Sequence, residues 1–287
     1  MHTSFLSHAN ARYLKVALVL VGLSIAAYWS QSRHVVPNGG TWLGYTLGTI
    51  GALLILWLIY LGRRKRNFAA GWGTVRGWVS AHVYLGTALL VVATLHTGFQ
   101  FGMNVHTLAY ALMCVVIFSG LFGVWAYRTY PEARNSLKRS QTLDDIFLQL
   151  EDIDTQLKRD VSTMASDIRS VITSAIDRTE IGGGIYAQIA GRDNSKVVIA
   201  GEVHRNAGQL NVVAWLVQRL TTAEGEESKK LAALVRDYGA RQQLLQVIRT
   251  DIRFQGIQDV WLYVHIPLSI GLLAALLTHV VSVFIYW

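Results

Sequence analysis

Acidic residues are missing from most of this chain. Residues 1–130 contain nine Lys or Arg and no Asp or Glu, and residues 260–287 contain no charged residue at all. Only 15% of the 287 residues are charged and 52% are hydrophobic, against roughly 25% charged in a soluble domain. These figures exclude a wholly soluble enzyme and a disordered chain. Cysteine occurs once, as Cys114. This rules out an intrachain disulfide framework, a cysteine-held iron–sulfur cluster and a C-x-x-C-H attachment motif. Cys114 sits in an apolar run and reads as a small buried side chain. Three prolines and long apolar runs argue against a β-rich secreted scaffold.

All eighteen acids lie in residues 131–259, beside seventeen Lys or Arg. That segment is nearly neutral, so the net charge of +8 arises in the apolar part. A nucleic-acid binder would carry its surplus on a soluble face. The pattern here predicts membrane spans with basic flanks, interrupted by one soluble insert.

Apolar stretches of about 18 residues or more are candidate spans, and five occur, at about 13–30, 42–62, 77–99, 106–128 and 260–287. The first is too long, and too weakly followed by a cleavage pattern, for a removed signal peptide. Basic residues concentrate on the cytoplasmic side of spans. Arg12 and Lys15 precede the first span, Arg63, Arg64, Lys65, Arg66 and Arg76 fill the second connection, and Arg128, Arg134, Lys138 and Arg139 follow the fourth. The other two connections hold only Arg33. The expectation is a multi-pass protein of the cell (inner) membrane, N-terminus and insert 131–259 cytoplasmic, C-terminus outside. Trp29, Trp42, Trp72, Trp78, Trp261 and Trp287 lie near span ends, where indoles prefer to sit.

Within the insert, apolar residues recur at helical spacing from Thr142 to about Asp177, and again from about Glu226 into the last span. At ~1.5 Å per residue each helix would reach ~50 Å, which predicts an antiparallel helical hairpin. IYAQIAG and KVVIAGEV, on either side of Arg192–Ser195, predict a β-hairpin tip, and a further short helix is expected over 209–221. GGG at 182–184 lacks the rest of a phosphate loop and reads as a turn. The predicted fold is therefore an all-α membrane protein: a five-helix bundle of residues 1–130 and 260–287 with a mainly helical insert.

Nine histidines occur. His2, His8, His34, His106 and His204 fall at a terminus, at span ends or in the insert, and read as surface or interface residues, with a haem-propionate contact as the minor alternative for His34 or His106. The other four repeat one spacing: His82 and His96 in the third span, His265 and His279 in the fifth, fourteen residues apart in each. Fourteen residues is nearly four turns, so each pair shares a helix face at two levels ~21 Å apart. Ionisable groups inside a membrane are functional by default. Two spans repeating one spacing point to two haem groups, each iron held between imidazoles of facing helices. Spans three and five both begin on the cytoplasmic side, which pairs His82 with His265 at an inner haem and His96 with His279 at an outer one. Gly86, Leu89 and Ala93 share the first pair's face, and Leu268, Leu272, Ala275 and Leu276 the second's.

This arrangement resembles the membrane dihaem b-type cytochromes, the cytochrome b and ferric-reductase-like transmembrane families. The placement on spans three and five is closer to the ferric-reductase-like order. The resemblance implies two haem b groups and electron transfer across the bilayer, with quinone as a possible mobile partner. No flavin, iron–sulfur or nucleotide motif is present, so the expectation is a non-catalytic electron-transfer subunit of an oxidoreductase complex, with a flavin, iron–sulfur or cytochrome c partner. The insert would dock a cytoplasmic partner or a second copy. Two other classes are carried alongside: an ion or metal transporter using intramembrane histidines, against which the absence of span carboxylates counts, and a membrane sensor or scaffold built on the insert.

Overall fold

A computed structural model describes residues 8–66, 74–138 and 141–285. The expectations placed on His2, Trp72, Arg139 and Trp287 lie outside them. In chain order the elements are α1 (Arg12–Ser32), α2 (Trp42–Arg66), α3 (Val75–Thr97), α4 (Val105–Lys138), α5 (Leu143–Ser162), α6 (Ser166–Asp177), α7 (Ile185–Ala190), β1 (Lys196–Ile199), β2 (Glu202–Arg205), α8 (Leu210–Thr222) and α9 (Gly225–Ile285). Five of them, α1, α2, α3, α4 and α9, are long and apolar enough to cross a membrane. The chain is a multi-pass membrane protein. It divides into two compact units, one of Met1–Trp125 with Trp261–Trp287, the other of Ala126–Val260.

In the first unit α3 is central. Its most apolar window is 33% buried, against 11% for that of α1. Leu43, Leu47 and Val92 form one buried cluster, with Leu20 and Tyr28 of α1 packed on it. A second joins four helices: Ile55 and Leu58 of α2, Leu89 of α3, Met113 of α4, and Leu272 and Leu276 of α9. Outward faces carry large apolar side chains such as Leu23, Leu53, Phe118, Ile270 and Phe284, as lipid contact requires. Thr74 caps α3 by accepting from the Gly77 amide at 3.1 Å. Gly98 ends it at φ 59°, where a Cβ would stand 2.3 Å from the Pro37 carbonyl.

The second unit has its own core. Leu157 and Val161 of α5, Ile168, Val171 and Ile172 of α6, Val197 of β1, Val212 and Leu216 of α8, and Leu231, Leu234 and Tyr238 of α9 form one buried cluster. Ile146 and Leu150 meet Leu245 and Ile248 in another. Contacts thus climb α5 as they descend α9, so the two helices run antiparallel. The helical pattern from Thr142 to Asp177 is, however, not one long helix. It breaks at Thr163–Ala165, where the Ser162 and Thr163 hydroxyls donate to the Arg159 and Asp160 carbonyls. These side-chain bonds compete with the helical ladder, and α6 then folds back onto the core.

The hairpin also differs from the expectation. IYAQIA is the helix α7, closed by Gly191 at φ 62°. The ribbon lies wholly downstream, with Lys196 opposite Arg205 and Ile199 opposite Glu202. Its two-residue turn is Ala200–Gly201, both at positive φ (52° and 84°), the backbone that tight hairpins need. Helix α8 lies where the sequence predicts it. Helix α9 runs unbroken from the insert into the fifth apolar span.

Candidate functional site

The four histidines of the repeated spacing all lie in the first unit, and hydrogen bonds from neighbouring helices orient them. The Nδ1–H of His82 donates to the Leu58 carbonyl of α2 at 3.1 Å. The Nδ1–H of His96 donates to the Gly44 carbonyl, also of α2, at 2.7 Å. A carbonyl can only accept, so both rings carry their hydrogen on Nδ1 and their lone pair on Nε2. His265 Nδ1 lies 2.6 Å from the Ser119 hydroxyl of α4. The same hydroxyl lies 3.0 Å from the Val116 carbonyl of its own helix. His279 Nδ1 meets His106 Nδ1 of α4 in a short hydrogen bond.

Glycines let these helices approach the rings. On α2, a Cβ at Gly48 would stand 2.7 Å from His96 Cε1, and one at Gly39, in the preceding loop, 3.5 Å from it. Gly51, one turn on, faces Leu89 at 3.6 Å. On α4, Gly120 faces His265 Cε1 at 3.6 Å, and a Cβ at Gly123 would collide with the Trp261 ring at 2.1 Å. The Trp261 indole donates to the Ser119 carbonyl at 2.8 Å, and its ring lies 5.3 Å from that of His265. Gly48 of α2 and Gly120 of α4 are the surfaces against which His96 and His265 pack.

Leu89 lies seven residues from both His82 and His96, and Leu272 seven from both His265 and His279. Both leucines belong to the same buried cluster, at 2% and 5% exposure. Helices α3 and α9 thus contribute to one apolar cluster. At one end the His96 and His279 rings lie 6.1 Å apart, nearly perpendicular at 80°. Two imidazole nitrogens that each lie about 2 Å from one metal put their ring centres about 6 Å apart. His96 and His279 are therefore the residues whose spacing would suit two imidazoles sharing one metal. His82 and His265 are held by different neighbours, Leu58 of α2 and Ser119 of α4.

His106, which the sequence reads as a surface or interface residue, is exposed. The structure sets its ring 4.4 Å from that of His279 at 88°. Its one sequence signal was an imidazole in the first turn of an apolar helix. The Thr94–Tyr110 hydrogen bond at 2.9 Å ties the same end of α4 to α3. Among the described residues no group of three or more His, Cys, Asp or Glu is arranged to hold a metal ion by itself.

No family model, curated protein or solved structure matches the chain.

Proposed function

We propose that this protein is a dihaem b-type cytochrome that carries electrons across a membrane between a redox partner or quinone and an acceptor. The observation that carries this reading is the His96–His279 pair. Two imidazoles from different spans stand at one level, 6.1 Å apart, in an apolar bundle whose spans contain no carboxylate. A site with two protein donors suits a ligand that brings four nitrogens of its own. His82 and His265 hold the haem nearer the cytoplasm, and His96 and His279 the outer one.

A haem held by two of these imidazoles would supply a reversible one-electron iron couple and leave no position for a further ligand. The protein's part is positioning. The Leu58 and Gly44 carbonyls and the Ser119 hydroxyl fix the rings, and such partners set ligand orientation and basicity. Leu89, Met113, Leu272 and Leu276 form an apolar layer between the levels, which keeps water out of the path. The amphipathic insert offers the docking face for a cytoplasmic flavin or iron–sulfur partner; a cytochrome c is the corresponding partner at the outer end.

The test is a dithionite-reduced-minus-oxidised spectrum with pyridine haemochrome quantitation on the detergent-purified chain, beside His82→Ala and His96→Ala. Two b haems per chain are expected, with a different one lost in each variant. A colourless, well-folded wild type from haem-replete cells would overturn the proposal and leave the transporter and scaffold classes.

A further inference from the structure

Three of the four bundle histidines bond through Nδ1 to another helix: His82 and His96 donate to the Leu58 and Gly44 carbonyls, and His265 meets the Ser119 hydroxyl. The fourth, His279, meets the ring of His106 instead. We infer that His106 is the positioning residue for His279, accepting its Nδ1–H and so holding its Nε2 toward the outer haem iron; this rests on the dihaem reading above.

The direction of this bond follows from hydrogen counting. Two facing Nδ1 atoms share one hydrogen, so one ring donates and the other accepts. If His106 were the donor, His279 would carry its lone pair at Nδ1 and its hydrogen on Nε2, and Nε2 could not bind a metal. If His279 is the donor, its Nε2 bears the lone pair, and His106 keeps its own hydrogen on Nε2. Ligation through Nε2 and acceptance by His106 therefore require one another. The two rings are nearly perpendicular, 4.4 Å apart at 88°, and their Nδ1 atoms are the ones that meet.

The placement of His106 is itself supported. It occupies the second position of α4, and Tyr110, one turn on, is bonded to Thr94 of α3. Thr94 lies two residues before His96, so the start of α4 is anchored beside the very ring that faces His279. Every proposed ligand thereby gains a hydrogen-bond partner from a different helix. Each acceptor at Nδ1 raises the basicity of its ring, and an imidazole nitrogen is a stronger base than the Gly44 carbonyl behind His96, so the two ligands of the outer iron are unequal.

The experiment uses the full detergent-purified chain, with His106→Leu and His106→Gln compared to wild type. The readouts are transfer of haem to excess apomyoglobin and the low-spin ferric EPR signals. His106→Leu should still purify with two haems, but one should leave about 10–100-fold faster, with displaced g values for that haem alone. His106→Gln keeps an acceptor oxygen and should transfer haem at close to the wild-type rate, with a smaller g displacement. If His106→Leu does not fold, the His106→Gln g values decide, because an unchanged spectrum overturns the assignment. Wild-type transfer rates in a folded His106→Leu overturn it as well. So does purification of that variant with one haem, which would make His106 a ligand. A colourless wild type overturns the dihaem reading and this assignment together, whereas two haems in a wild type indistinguishable from His106→Leu overturn this assignment alone.

Discussion

In the unit Ala126–Val260 the largest fully enclosed side chain is a guanidinium. Arg241 is 1% exposed, yet it donates to the Asp154 carboxylate, to Gln209 Oε1 at 3.2 Å and to Thr179 Oγ1 at 3.1 Å. In the membrane unit the polar groups that organise the interior are neutral: imidazoles bonded to carbonyls and a hydroxyl. A unit bathed in water can bring a charge inside once it is paired and fully hydrogen-bonded. A unit in lipid has no water at its margins, and an ionised group there is far more costly. Histidine supplies polarity and metal affinity without a fixed charge, and donation from Nδ1 selects which nitrogen faces a ligand. The same contrast governs packing. The insert buries stripes of Leu, Ile and Val from amphipathic helices, whereas α2 and α4 approach the rings through glycines.

The largest effect expected of a change that spares all four proposed ligands comes from Gly48→Val. Its side chain would occupy the place of His96 Cε1 and force that ring off the Gly44 carbonyl. On the dihaem reading, haemochrome quantitation should fall from two haems to one, with the insert still folded by its tryptic resistance. Two retained haems would show that the glycine face does not set the ring.

Arg241→Leu tests the other side of the comparison. It leaves Asp154 and Gln209 without their common donor, and breaking a buried pair costs about 3–5 kcal/mol. Asp154 is partly solvent-accessible, at 24%, so the lower end of that range is expected. It should be read as a fall in the unfolding midpoint of the insert in the intact chain. On the dihaem reading the haem spectrum should stay as in wild type, because the network lies wholly in the other unit.

Tyr238 adds a pH dependence. Burial pushes its phenol up from 10.0 to about 12, opposed by the Arg241 charge. Above pH 10 the unfolded chain releases this proton while the folded chain keeps it. The stability is therefore fully present below pH 10 and declines as pH rises toward 12, by on the order of 2 kcal/mol. Tyr238→Phe should flatten that alkaline decline. At neutral pH it should also cost about 1 kcal/mol, since Tyr238 donates to Gln209 Oε1. An alkaline slope unchanged in the variant would assign the titration elsewhere.

The smallest effect is a gain. Gly239 lies inside α9 with nothing within 4 Å of where a Cβ would stand. Gly239→Ala should stabilise the insert by up to about 1 kcal/mol, while the same change at Gly123, against Trp261, should destabilise the membrane unit. Equal responses at the two sites would erase the packing contrast.

The spans were legible because hydrophobic runs and missing charges are properties of single segments. So was the fourteen-residue spacing of the histidines, which needs only the helical period. The break at Thr163–Ala165 and the strand pairing were not. Apolar periodicity continues across the break, since both helices bury a stripe in one core. The choice of EVHR rather than IYAQIA as the partner of KVVI rests on Ala200 adopting φ 52°, a conformation that an alanine does not advertise.

By itself, then, the sequence determined which segments are apolar enough to span, where the charged insert lies, and which four imidazoles share two helix faces. Only the tertiary structure decided what stands behind each ring. The hydrogen-bond partners of His82, His96 and His265 lie 24, 52 and 146 residues away along the chain, and His106 lies 173 residues from His279. A helical period fixes the direction in which a side chain leaves its own helix. What it meets depends on the rotation and height of a neighbouring helix, and those are set by the packing of all five.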